Sequence, residues 1–300
     1  MVEAVGTAPK RNVIAVISGK GGVGKTTLSL GAALALNSMG NQTGLMDLDI
    51  ESSSLGDAMN LGYHTLSMGE KINPVDIAGL KAASLSMFLP DGEMVDTPTL
   101  VDEERVGMIV TQMFDSIDWG DLDYLIVDTP PGTGPELRSL VRNGVDALIL
   151  VTATQRLSEM PVRRLVRMAR EEFFLPIIGV ISNNPYNTDG SYSSADALSE
   201  RYGLPIITEI PWTRDIATAM DDQVMLPETI SSSLAELFQP VAEAIEGHFM
   251  PGVTSRVREV IRLTNQGIPR KEIAAEMGVS YGRIGQLLGQ ARKQGLLEKA

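Results

Sequence analysis

Seven short apolar runs recur along the chain, and stretches with apolar residues at helical spacing lie between them. Continuous apolar strands that alternate with helices are typical of a parallel sheet covered on both faces. The pattern therefore predicts an α/β fold, with a parallel sheet and helices on both of its faces. The predicted strands are NVIAVIS, TGLMDLD, GLKAASLS, LDYLIVD, DALILVTA, LPIIGVIS and LPIITEI. The predicted helices lie near 25–38, 101–116, 135–143, 158–172, 194–203, 213–221 and 230–247.

The C-terminal part of the chain has a different pattern. RKEIAAEMGVSYGRIGQLLGQARKQGLL has the apolar spacing of two helices joined by a short turn, and SRVREVIRLTNQG provides a helix before them. This arrangement predicts a small all-α helix-turn-helix domain. Pro251 and Gly252 precede the change, so we predict two domains, residues 1–250 and 251–300.

Three glycines lie within the second predicted helix of this small domain. Gly282, Gly285 and Gly289 each cost a helix interior about 1 kcal/mol relative to alanine. Glycine in such a place is typical of close approach to another helix, which fits the alternative of a small helical module that docks on a protein.

Charge is distributed unevenly along the chain. The net charge is −13, yet residues 251–300 hold nine Lys/Arg and four Asp/Glu, a net charge of +5, which leaves −18 on the other residues. A basic segment attached to an acidic body is typical of an appended nucleic-acid module.

Composition excludes several classes of site. The chain has no cysteine, which excludes disulfides, thiolate zinc sites, cysteine nucleophiles and cysteine-ligated iron–sulfur clusters within it. No apolar run approaches the roughly 18 residues that span a bilayer, and the start MVEAVGTAPKRN has no apolar signal core. We therefore expect a cytoplasmic protein with no membrane partner.

A glycine-rich stretch, VISGKGGVGKTT, joins the first predicted strand to the first predicted helix. It fits the P-loop pattern G-x-x-x-x-G-K-[ST], in which backbone N–H groups and the helix N-terminus cradle phosphate, the lysine reaches the β- and γ-phosphates and the hydroxyl holds Mg²⁺. A glycine-rich structural turn is the alternative. The predicted ATP-binding residues are Gly19, Gly21, Gly22, Val23, Gly24, Lys25, Thr26 and Thr27.

Carboxylates end two of the predicted strands. Asp128 ends LDYLIVD, where it can act as a Walker B aspartate, and Asp47 and Asp49 lie at the end of TGLMDLD. Each could instead cap a helix or stabilise a turn. With Thr26, these three aspartates form the predicted Mg²⁺ site.

Two motifs identify a family resemblance. GKGGVGKTT resembles the deviant Walker A of the MinD/ParA class of ATPases, and WGDLDYLIVDTPPGTG resembles the Mrp-type ATPases, relatives of iron–sulfur cluster carriers. The resemblance implies an ATP-driven homodimer in which Lys20 crosses the interface to the partner's phosphates, and Asp49 lies near the attacking water. The implied catalytic residues are Lys20, Lys25, Asp49 and Asp128, and Asn183 and Pro211 are implied to lie at the adenine.

The chain departs from Mrp-type carriers at the cluster ligands. Those carriers usually have a Cys-Pro-x-Cys pair after the strand that corresponds to GVISN, where this chain reads NNPYNTDGSYSSAD. Hydroxyls, amides and a carboxylate are poor substitutes for thiolates. We therefore expect no iron–sulfur cluster on this chain.

The C-terminal domain leaves two hypotheses for what the ATP cycle controls. The first is DNA binding, with the second helix in the major groove and basic side chains on phosphates. The alternative is an ATP-dependent assembly factor whose C-terminal domain docks a protein client. The candidate DNA contacts are Arg270, Lys271, Ser280, Tyr281, Arg283 and Gln286.

Overall fold

A computed structural model describes residues 11–49, 71–77, 79–88, 103–153, 159–184, 194–214, 216, 232–251, 253 and 255–297. Within these residues, the strands form one eight-stranded sheet in the order β3-β4-β2-β5-β1-β6-β7-β8. The strands are β1 (Asn12–Ser18), β2 (Thr43–Asp47), β3 (Val75–Ile77), β4 (Leu80–Ser84), β5 (Tyr124–Asp128), β6 (Ala147–Ala153), β7 (Ile177–Asn184) and β8 (Ile206–Pro211).

Helices connect the strands. A π-helical turn, Met168–Glu172, follows the helix that ends at Arg167, and a 3₁₀ turn, Leu85–Phe88, follows β4. The described helices are α1 (Lys25–Ser38), α2 (Glu103–Ser116), α3 (Pro135–Arg142), α4 (Glu159–Arg167), α5 (Ser194–Tyr202), α6 (Ser232–Phe249), α7 (Ser255–Asn265), α8 (Arg270–Glu276) and α9 (Tyr281–Lys293). The predicted helix at 213–221 falls almost entirely outside the described residues.

The sheet lies between two apolar layers. On one face the strands pack with α1 and α6, through side chains such as Leu30 and Phe238. On the other face they pack with α2, α3, α4 and α5, through side chains such as Val110 and Leu165. The central strands β1, β5 and β6 are almost entirely buried because both faces are covered. The predicted α/β fold with helices on both faces is confirmed.

The sheet is parallel except at one edge. Strand β3 pairs with β4 antiparallel, while the other neighbours pair parallel. Strand β3 was not among the predicted strands. It has only three residues, and Asp76 is exposed between two half-buried neighbours, so no apolar run marks it.

The last three helices share an apolar cluster of their own. Val257 and Leu263 of α7, Ile273 of α8, and Ile284 and Leu287 of α9 are buried in it. The turn between α8 and α9 contains Gly278, with φ +60. A helix, a short turn and a second helix thus occur where the spacing predicts them, while the domain boundary near residue 250 stays a prediction.

The glycines of α9 make no close approach to another described element. A Cβ added at Gly282, Gly285 or Gly289 would meet nothing within 4 Å. The buried side of α9 is formed instead by Ile284 and Leu288 together with their neighbours. The glycines lie on the open side of the helix, so packing does not explain them.

None of the helices in the described part of the chain is long and apolar enough to cross a bilayer.

Candidate nucleotide site

The predicted site lies where the order of the strands reverses. Strand β1 has β5 on one side and β6 on the other, and α1 follows it after the glycine-rich loop. In open parallel sheets, ligands bind beyond the carboxyl ends of the strands at such a point. The glycine-rich loop therefore occupies the position that this fold uses for ligands.

The N-terminus of α1 is open to an anion. Gly24 is its N-cap, with φ 82, and no side chain caps the helix. The first N–H groups of an α-helix have no partner within the helix, and together with the helix dipole they attract phosphate. Gly22 also has a positive φ, of 72. The loop thus fits a phosphate ligand.

Three side chains of α1 contact the Asp128 carboxylate beneath the loop. Lys25 Nζ lies 3.3 Å from Asp128 Oδ1, and Thr26 Oγ1 donates to Asp128 Oδ2 at 2.6 Å. Ser29 Oγ lies 3.0 Å from Asp128 Oδ1 and 3.0 Å from the Lys25 carbonyl oxygen. Asp128 is fully buried and Lys25 is only 7% exposed. The strand-end carboxylate and the P-loop lysine therefore form one buried ion pair.

Asp47 and Asp49 lie beside this group. Asp47 is the register neighbour of Asp128 in the pairing of β2 with β5. It accepts hydrogen bonds from the Asp49 N–H, at 3.0 Å, and from Ser84 Oγ, at 3.1 Å. Burial, with the nearby charge of Asp128 as a smaller cause, raises the pKa of Asp47 to about 7. Two buried carboxylates side by side favour a cation between them or a shared proton.

These residues fit Mg²⁺ bound together with a nucleotide. Asp47, Asp128 and Thr26 provide hard oxygen donors, which Mg²⁺ prefers. No cluster of three or more His, Cys, Asp or Glu side chains arranged to hold a metal occurs among the described residues. Mg²⁺ is usually held by one or two carboxylates plus the substrate's phosphates, so a full protein cage is not required.

Asn183 contacts the P-loop directly. Its Nδ2 donates to the Val23 carbonyl oxygen at 2.8 Å, and a Cβ at Gly24 would lie 2.1 Å from the same nitrogen. Asn183 pairs with Ile210 where β7 and β8 lie side by side. Pro211, the next residue and the last of β8, is exposed. The role of both residues at the adenine stays a prediction.

The other residues predicted for the P-loop lie just before α1 or in its first turn. Gly21 and Gly22 are exposed, Lys20 and Thr27 are partly exposed, and Val23 is buried. A Cβ at Gly19 would lie 2.8 Å from Val162 Cγ2, so this glycine allows α4 to pack against the loop.

Sequence reasoning missed two hydroxyls of the site. Ser29 lies one helical turn after Lys25, and Ser84 ends the neighbouring strand β4. Serine within a helix or at a strand end belongs to no motif by itself. For Ser29, the four-residue spacing from Lys25 was the available signal, because it places both side chains on one face of α1.

The candidate DNA contacts lie at the starts of the last two helices. Ser280 caps α9 by accepting from the Arg283 N–H at 3.2 Å, and Arg283 Nη1 donates to Gln286 Oε1 at 2.9 Å. Tyr281 is 60% exposed. Arg270 and Lys271 form the exposed start of α8. Their contact with DNA stays a prediction.

The fold and this site together define a P-loop NTPase. Residues 10–246 match the family model ParA, described as "NUBPL iron-transfer P-loop NTPase", and the chain belongs to this family.

Curated relatives are iron–sulfur cluster carrier proteins. The one from Rickettsia bellii is 32% identical over 227 residues, 75% of this chain and 69% of its own. The one from Methanocaldococcus jannaschii is 29% identical over 254 residues, 79% of this chain and 86% of its own.

Solved structures show the same architecture. A nucleotide-binding protein from Archaeoglobus fulgidus, solved with ADP, has a TM-score of 0.61 at 27% identity and covers 76% of this chain and 91% of its own. The septum site-determining protein MinD from Pyrococcus horikoshii, solved with Mg-ADP, has a TM-score of 0.61 at 19% identity, covering 80% of this chain and 98% of its own. The second likeness shows the fold alone. The predicted P-loop class is confirmed, at the level of a nucleotide-binding NTPase.

Proposed function

We propose that this protein is an ATP-hydrolysing switch that acts as a homodimer. The observation that carries the proposal is the contact of Asp128 with Lys25 and Thr26 at an uncapped helix N-terminus, with the lysine and the carboxylate both buried. Lys25, which contacts Asp128 here, would bind the nucleotide phosphates, and Thr26, Asp47, Asp49 and Asp128 would hold Mg²⁺. When bound, Mg²⁺ neutralises charge on the phosphate oxygens.

Lys20 is the residue that makes hydrolysis depend on dimerisation in this proposal. Phosphoryl transfer needs positioning and charge neutralisation more than covalent chemistry, and a cation from a second subunit acts as an arginine finger does. Asp49 orients the attacking water. Asn183 and Pro211 border the adenine.

ATP turnover measured over a range of protein concentrations tests this proposal. Turnover per chain should rise with concentration, because a second subunit completes the site. Lys20→Ala should keep ATP binding and lower turnover by about 100-fold or more. Lys71→Ala, an exposed lysine outside the site, is the matched control. Concentration-independent turnover, or full turnover in Lys20→Ala, contradicts the cross-subunit role.

The process that we propose for the switch is assembly through a protein client. The relatives are named iron–sulfur cluster carriers, while this chain has no cysteine to hold a cluster. Its proposed role is therefore an ATP-dependent step on a client that holds its own metal ligands, with residues 251–300 docking the client in the cytoplasm.

DNA binding by the same segment is the second candidate. The observation that favours it is the start of α9, where Tyr281, Arg283 and Gln286 are all exposed after a serine cap. Recognition helices present such side chains to base edges. Duplex DNA binding by the whole chain, with ATP, ADP or neither and across a salt series, separates the candidates. Affinity that falls steeply with salt supports DNA; absence of binding leaves the client.

A further inference from the structure

A cleft of about 680 Å³ opens beside the P-loop. Gly19 of that loop and Gly132 and Thr133, which follow β5, form one wall, and α4 with its π turn forms the other. The two walls are held together, because Val162 of α4 packs where a side chain at position 19 would lie. A ligand in this cleft would touch the backbone that surrounds the nucleotide.

Arginine is the most frequent residue in the lining of the cleft. Four arginines and one glutamate, Glu171, line it, although residues 1–250 carry a strongly negative net charge. Two arginines already have partners: Arg167 Nε donates to Glu171 Oε2 at 2.7 Å, and Arg170 Nη2 donates to the Tyr202 carbonyl oxygen at 2.7 Å.

The other two arginines, Arg163 and Arg164, make no ion pair with a carboxylate in the described part of the chain, although Arg163 Nη1 lies 4.0 Å from Met160 Sδ. Arg164 is exposed and Arg163 is partly exposed. Each guanidinium presents a planar set of donors that matches a carboxylate with two parallel hydrogen bonds. The cleft therefore holds two guanidinium groups that no described carboxylate pairs with.

We propose that this cleft binds an acidic segment of a partner protein. Met160, on the rim, is 73% exposed and offers an apolar contact that fits an apolar side chain between acidic ones. An extended polyanion such as DNA fits less well, since it would continue past the cleft over the acidic body. The proposal adds a docking surface to the switch and does not rest on ATP hydrolysis, because the binding is measured without turnover.

Fluorescence anisotropy with a defined peptide tests the proposal. The probe is a labelled peptide of six glutamates, four leucines and two glycines, and its counterpart has glutamine for each glutamate. The full chain should bind only the acidic peptide, with affinity that falls as salt rises. Arg163→Gln/Arg164→Gln should weaken binding about fivefold or more, as expected for the loss of two ion pairs at the protein surface.

A matched variant distinguishes the effect of the two cleft arginines from the effect of a lower overall positive charge. Lys71→Gln/Arg142→Gln removes two exposed positive charges elsewhere and should leave peptide binding unchanged. ATP turnover and thermal unfolding of all variants, measured separately, report whether the nucleotide site and the fold are intact. Absence of peptide binding, or equal weakening in both double variants, overturns the proposal. Loss of duplex DNA binding in Arg163→Gln/Arg164→Gln, with peptide binding retained, assigns the cleft to nucleic acid and overturns it as well.

Discussion

At the scale of single residues, the nucleotide site depends on a glycine that no other residue can replace without cost. Gly24 has φ 82, and a Cβ there would lie 2.1 Å from Asn183 Nδ2. Gly24→Ala should lower the free energy of unfolding by about 1–2 kcal/mol from backbone strain alone. It should also displace Asn183 from the Val23 carbonyl and weaken ATP binding. Urea denaturation and titration with an ATP analogue measure the two effects.

Gly144 provides the control for this change. It also has a positive φ, of 95, but a Cβ there would meet nothing within 4 Å. Gly144→Ala should show the strain without the loss of ATP binding. Adding Asn183→Ala to Gly24→Ala should recover part of the stability by removing the clash. If Gly24→Ala binds ATP as tightly as the natural chain, Asn183 has no part in shaping the loop.

At the scale of single elements, α9 carries more glycine than its packing needs. Gly285 lies in the helix interior, is exposed, and has open space where a Cβ would be. Gly285→Ala should therefore raise the free energy of unfolding by about 0.5–1 kcal/mol. Gly278→Ala is the contrast: its φ of 60 makes alanine strained, so it should destabilise the protein. Thermal unfolding monitored by circular dichroism measures both signs.

The same variant bears on the two candidate functions. If α9 enters DNA with its glycine side close to the backbone, Gly285→Ala should weaken DNA binding while it stabilises the fold. An unchanged DNA affinity would place the glycine side away from any such contact. A decrease in stability would mean that the open space beside Gly285 is filled in the folded protein.

The strands and helices also show how much of the structure the sequence patterns could predict. The apolar runs predicted seven strands because buried parallel strands are apolar throughout, and NVIAVIS is β1 residue for residue. The short edge strand β3 has no such run. At the site, strand-end position and the P-loop pattern located Asp128 and Lys25, but Ser29 and the arginines that line the cleft belong to no motif. Their roles depend on which elements pack together, which is not encoded in local spacing.

At the scale of the whole molecule, the last helices are attached to the end of the P-loop helix. Glu246 of α6 is 5% exposed and accepts from Asn41, just after α1, at 3.0 Å. Arg258 of α7 lies 3.4 Å from the other carboxylate oxygen of Glu246. Helix α1 begins at Lys25 and spans about 21 Å at 1.5 Å per residue. One helix therefore connects the phosphate site with the attachment of α7, a connection that no sequence pattern indicated.

Burial of Glu246 at this attachment should make the stability of the protein depend on pH. Burial is the largest effect on Glu246 and raises its pKa above the ordinary 4.5, against the opposing effects of Asn41 and Arg258. The folded state thus holds the proton more tightly than the unfolded state. The stabilisation is complete below pH 4.5 and is lost as pH rises through the folded pKa. Urea denaturation from pH 4 to 8 should show this loss in the natural chain and lack it in Glu246→Gln; parallel profiles would contradict the assignment.

A double-mutant cycle on Glu246 and Arg258 shows whether their charges or their packing hold α7 in place. Arg258→Met leaves the Glu246 carboxylate buried without its cation and should cost about 3–5 kcal/mol of unfolding free energy. Arg258→Met/Glu246→Met should recover most of this loss, because an apolar pair of similar size is often as stable as a buried ion pair. If the single and double variants are equally destabilised, the side chains hold α7 by shape rather than by charge. If neither changes stability, α7 is not anchored through this pair, and nucleotide binding at α1 has no such path to the last helices.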